Sequence, residues 1–101
     1  LAAMIISPQQ NQSIEVYAIQ GTSDVGTALN YLSQVYQGMG MQISYQSSGQ
    51  KNGFTYISRA TSGKNGTSGW MGAFRPRGNK VEGICVPSSM QEGQQVLASL
   101  K

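Results

Sequence analysis

The chain has 101 residues, of which 39% are hydrophobic and only 11% charged, and seven basic against four acidic side chains give a net charge of +3. That length suits one domain with one core, while a surface that binds nucleic acid needs several clustered Lys and Arg to displace counterions, which this chain lacks. The absence of histidine and the single cysteine, Cys85, exclude histidine triads, Cys–His pairs, internal disulfides and cysteine or histidine zinc sites.

Leu1 to Ile6, LAAMII, is apolar and stops at Ser7-Pro8. It fits either the remnant of a trimmed signal peptide or lipoprotein leader, with a lipid anchor upstream, or an ordinary first strand. Residues 1–12 are read as an arm or leader remnant, and residues 13–101 as a single domain. The polar run over residues 7–13 reads as a loop. Residues 13–20, SIEVYAIQ, are β-branched and aromatic, with Ile14, Val16 and Ala18 on one face and Glu15, Tyr17 and Ile19 on the other. A strand apolar on both faces belongs inside its sheet.

Residues 22–39 carry the one long helical period. Val25, Ala28, Leu29, Leu32, Val35, Tyr36 and Met39 recur at spacings of three and four. Thr22, Ser23 and Asp24 offer oxygens to the unpaired amides of the first turn. Gly38 and Gly40 suit the end of the helix. Such a helix must lie on an apolar surface.

Residues 41–46 alternate Met41, Ile43 and Tyr45 with polar positions, the pattern of a half-buried strand. A turn over 47–53 holds Asn52-Gly53, a strong hairpin signal. Residues 54–60 form the return strand, 61–69 a second loop, 70–75 a strand with Trp70 and Phe74 on one face, and 76–79 a third turn. Residues 80–86 return as another central strand, with Val81, Gly83 and Cys85 opposed to Ile84 and Val86. Ser89 and Glu92 form a capping box, and Met90, Val96, Leu97 and Leu100 give the final helix a short apolar face. The expected fold is α+β: one antiparallel sheet of about five strands in the order β-α-β-β-β-β-α, with both helices packed on it, or alternatively a three-layer α/β/α arrangement.

Little chemistry is written in the chain. Asp24 and Glu92 are accounted for as helix-start residues. Glu15 and Glu82 sit within strands and would approach one another if those strands pair, making a carboxylate pair for acid–base work; the plainer account gives each a solvated position or a Lys or Arg partner. Cys85, inside an apolar run with no base beside it, reads as a small core residue. The glycines at 63, 66 and 69 lie between strands, so they lack the strand-to-helix setting of a phosphate cradle. Asn11 and Asn65 match the glycosylation sequon. Met39 and Met41 carry thioethers of the kind that ligate soft metals, but both continue apolar patterns, and no metal or cofactor is expected.

The tail GNKVEGICVPSSMQEGQQVLASLK resembles the last strand and helix of the Mog1/PsbP-like family, and TSDVGTALNYLSQVY is similar in place to that family's first helix. The resemblance covers residues 14–101; the chain is shorter than the usual member and lacks its first hairpin. The family's members are small α/β domains, often bacterial lipoproteins or periplasmic proteins, so the resemblance implies a non-catalytic binding or assembly role. It assigns no individual residue.

The expectation is therefore a non-enzymatic binding or adaptor module of the bacterial cell envelope, periplasmic or extracellular, acting through a protein partner. Two alternatives are a small hydrolase or ligand-binding enzyme built on carboxylates, and a toxin-neutralising or enzyme-inhibiting protein. The expected contact is the turn holding Arg75, Arg77 and Lys80, three of the seven basic residues within six positions, together with Trp70. Arg forks onto carboxylates, and Trp and Arg are enriched at interface hot spots. The opposing account is that Trp70 is core and the three charges keep a turn wet.

Overall fold

Strand β2 (Glu15–Gln20) shows what the sheet had to solve. It is apolar on both faces, so it needs a neighbour on each side as well as cover above and below. In the computed structural model, which describes residues 1–6, 14–63, 66–89 and 91–99, it receives both neighbours. Strand β1 (Ala2–Ile6) pairs antiparallel along one side, with Met4 opposite Ala18. Strand β6 (Lys80–Pro87) pairs antiparallel along the other, with Tyr17 opposite Gly83.

The remaining strands, β3 (Gln42–Lys51), β4 (Phe54–Gly63) and β5 (Gly66–Arg77), complete one antiparallel sheet in the order β1-β2-β6-β5-β4-β3. The expected five strands in the order β-α-β-β-β-β-α are thus overturned. The sheet has six strands, two of them precede the first helix, and the molecule is mostly sheet. The added strand is the segment for which the sequence leaves an arm or leader remnant and an ordinary first strand both open. AAMII carries no polar–apolar alternation, and its strand state comes from the ladder that β2 offers it rather than from its own pattern.

The hairpins are longer than expected for the same reason. The loop expected over 61–69 is largely ladder, with Thr61 opposite Ser68 and Gly63 opposite Gly66; Lys64 and Asn65 lie outside the described residues. The turn expected over 47–53 shrinks to Asn52-Gly53, because β3 runs on to Lys51 through an irregularity between Ser47 and Gly49. Asn52 and Gly53 both have positive φ, 56° and 83°, as the tight primed hairpin turn demands. The third turn likewise shrinks to Gly78-Asn79, with Arg77 opposite Lys80.

Helix α1 (Val25–Gly38) starts at Asp24, whose carboxylate accepts the Thr27 amide at 2.9 Å. It buries Ala28, Leu32 and Tyr36 against Tyr17, Ile19, Ile57, Phe74, Val81 and Cys85 on one sheet face. Met39 lies past the covered part and is exposed. Helix α2 (Gln91–Ala98) covers the opposite face, where Leu97 packs on Phe54, Ala73 and Val86. The Tyr56 hydroxyl donates to the Leu97 carbonyl at 3.2 Å, tying α2 to β4. Met90, Leu100 and the side chains of Glu92 and Val96 lie outside the described residues, and the expected capping box with them. The loop over 7–13 and the sequon at Asn11 also lie outside.

One close approach fixes the α1 face. A Cβ at Gly83 would sit 2.1 Å from the Phe74 ring. With glycine there, Tyr17 and Phe74, its neighbours on either side, bring their rings to 5.6 Å between centroids.

Candidate functional site

Strand alternation sorts the charged residues onto the two faces of the sheet. On β2 and β6, Glu15 stands opposite Cys85 while Glu82 stands opposite Ala18. Glu15 therefore faces α1, and Glu82 faces the side of α2. The carboxylate pair that a hydrolase would need does not form: the sheet itself separates the two groups.

On the α1 face, Arg59 of β4 is only 4% exposed. Its side chain spans the two intervening strands, β5 and β6, where Gly72 and Cys85 are opposite one another and small enough to leave room. Its Nη1 donates to Glu15 Oε1 at 3.0 Å and to the Tyr17 hydroxyl at 2.6 Å, and its Nε donates to Thr61 Oγ1 at 3.0 Å. Tyr17 donates in turn to Glu15 Oε1 at 2.5 Å, and Tyr36 of α1 donates to Oε2 at 3.3 Å. The guanidinium lies 4.2 Å from the Trp70 ring centre, a cation–π stack.

These contacts make a closed set. Three donors hold the carboxylate in place, two on Oε1 and one on Oε2, out of about four lone-pair positions. Burial pushes the Tyr17 and Tyr36 hydroxyls up from the ordinary tyrosine value, keeping them neutral. Burial lowers the pKa of Arg59, yet Tyr17, Cys85 and Glu15 hold it above the usual value. Burial likewise raises the Cys85 thiol to about 11, so it is neither a nucleophile nor a ready metal ligand. Among the described residues no group of three or more acidic, cysteine or histidine side chains could hold a metal ion.

On the opposite face, Glu82 collects all three bases of the expected contact. Lys80 Nζ lies 3.4 Å from its carboxylate, and Arg75 and Arg77 each lie 3.7 Å away. The cluster is solvated, with 62% of the Arg77 side chain exposed. Three positive charges on one negative charge leave a basic rim. Arg75 also lies over the Phe54 ring at 5.1 Å. Trp70, expected in the same contact, is on the other face of β5, under Arg59, with its indole N–H on Ser68 at 3.1 Å. The sheet brings together three of the four expected residues and separates the fourth.

Beside that rim runs an apolar strip whose inner end, Ile84, packs against the core that Leu97 of α2 joins. Met4 is 58% exposed and Val16 38%. With Ala18, Ile84, Arg75 and Glu82 they line an open hollow of about 310 Å³. The row Met4–Ala18–Glu82–Arg75 runs straight across four strands, from apolar to charged. Sequence reasoning places the basic turn but misses the strip, because residues 1–6 fit an arm or leader remnant as well as a first strand and their neighbours are not legible.

Comparison with known protein families, characterised proteins and solved structures finds no match for this chain.

Proposed function

We propose that the chain is a non-catalytic binding module that acts by protein contact through the α2 side of its sheet. The observation that carries this reading is the pairing of an apolar strip, in which Met4 and Val16 are exposed and Ala18 and Ile84 half-buried, with a basic rim of Arg75, Arg77 and Lys80 around Glu82. Apolar area supplies affinity, and the rim steers and orients a partner of opposite charge. A protein segment with apolar side chains flanked by acidic ones has the matching chemistry. The acid and thiol groups that catalysis would use support the reading from the other side. Glu15 is engaged by Arg59, Tyr17 and Tyr36, Cys85 is buried, and Asp24 caps a helix.

The test compares the proteins retained by the immobilised native chain with those retained by Val16→Asp and by the double variant Arg75→Gln with Arg77→Gln. Quantitative mass spectrometry should show the same partner weakened about tenfold or more by each change, the double variant also losing salt dependence. Retention of the same partners at equal affinity by both folded variants would overturn the reading.

A further inference from the structure

The two edges of the sheet are unlike. Edge strand β3 is defended: its ladder is irregular between Ser47 and Gly49, its exposed residues are Gln, Ser and Lys, and α1 packs over it. Edge strand β1 has none of these devices. AAMII carries no charge and no proline, and its register with β2 runs unbroken from Ala2 to Ile6. Along the side that no strand of the described residues pairs with, it presents backbone donors and acceptors beside exposed Met4, which is the condition for pairing with another strand.

We infer that β1 pairs antiparallel with β1 of a second copy of this chain across a two-fold axis at Met4, joining two six-stranded sheets into one. This goes beyond the protein-contact reading and does not depend on it. Antiparallel self-pairing closes around a two-fold axis and leaves no further edge of this kind to propagate. The register centred on Met4 is the one that uses all five residues. It sets Ala3 opposite Ile5 of the partner, small against large, on the side where both already pack on the α1 core.

Charge does not oppose the arrangement. The Glu82 cluster sits on β6 and its neighbours, two strands in from β1. At about 4.8 Å per strand the clusters of two copies stand about 24 Å apart, beyond the Debye length of about 10 Å at 0.1 M salt. The two apolar strips become adjacent across the axis, and each Met4 covers the other.

A five-residue edge is a small contact, so the dimer is concentration-dependent. Sedimentation equilibrium of the full chain from about 10 μM to about 1 mM should show the mass rising from 10.8 kDa towards twice that value. Hydrogen exchange at the high concentration should slow in residues 2–6 and not in β3. Met4→Lys and Met4→Glu each place like charges across the axis and should weaken association at least about tenfold. Mixed one to one, the two variants should recover it as a heterodimer. The double variant Arg75→Gln with Arg77→Gln should dimerise as the native chain does, which separates this proposal from the preceding one. A single-chain mass at about 1 mM overturns the proposal. So does new exchange protection on β3 or on the strip instead of β1, or a mixture of folded Met4 variants that stays monomeric. If the Met4 variants do not fold, the mass and exchange of the native chain decide alone.

Discussion

Glu15 and Glu82 stand on neighbouring strands of one sheet and meet basic side chains on opposite faces, with opposite consequences. Glu15 is met at 3.0 Å by an arginine whose side chain is 2% exposed, within a shell of tyrosine hydroxyls. Glu82 is met at 3.4 to 3.7 Å by three side chains that water also reaches. Buried, a charge pair is costly to break because each partner leaves the other stranded. Exposed, the same pairing contributes little, because water replaces the lost partner. The inner pair therefore organises the fold, whereas the outer cluster leaves its bases free to be re-paired by a partner.

The sharpest way to break this contrast is Arg59→Met. It strands the Glu15 carboxylate and should lower stability by about 3–5 kcal/mol in urea unfolding. Adding Glu15→Leu should return a large part of that loss, since Tyr17 and Tyr36 keep each other at 3.1 Å. Simple additivity of the two changes would show that the pair is not coupled.

Packing should divide the faces in the same way. Gly83→Ala drives a methyl into Phe74 and should cost about 2–3 kcal/mol, read as a lowered thermal midpoint. Ala18→Val, in the uncovered strip, should change stability by less than about 0.5 kcal/mol.

Alkaline pH probes the buried face alone. The ordinary thiol value is 9.0, and burial raises Cys85 to about 11. Between those values the unfolded chain has released a proton that the folded chain still holds, so stability present below pH 9.0 is lost as pH rises towards 11. The buried tyrosines, raised in the same direction, extend the decline to higher pH. The thiol contributes about 3 kcal/mol, and Cys85→Ala should flatten that part of the profile measured by urea titration. An unchanged profile would place the ionisation elsewhere.

The smallest effect belongs to the outer cluster. Glu82→Gln should change stability by no more than about 1 kcal/mol, and the difference should vanish in high salt. A larger, salt-independent loss would mean that the cluster holds the sheet together and is not available to a partner.

Several of these features were legible from residue types. The helical period over 22–39, the cap at Asp24, the turns at Asn52-Gly53 and Gly78-Asn79, and the opposed faces of Tyr17 and Val16 all follow from local rules. Arg59 was legible only in part. A lone arginine in FTYISRA and a lone glutamate in SIEVYAIQ, both within apolar strands, are charges that burial forces to find partners. That they find each other depends on β4 and β2 flanking the strands of Gly72 and Cys85 with both charges on the same face, which no local pattern encodes.

What the sequence determined by itself was everything with a period or a turn chemistry of its own: the long helix, the tight hairpin turns, the central character of 15–20 and 80–86, and the exclusion of histidine and disulfide chemistry. The tertiary structure decided what has no such signature. It made a strand of AAMII, because the edge of β2 needed a partner. It extended polar β3, β4 and β5 as ladder, because backbone hydrogen bonds do not depend on side-chain polarity. And it separated Trp70 from Arg75, and Glu15 from Glu82, because alternation fixes the face of each residue only once the register between strands is set.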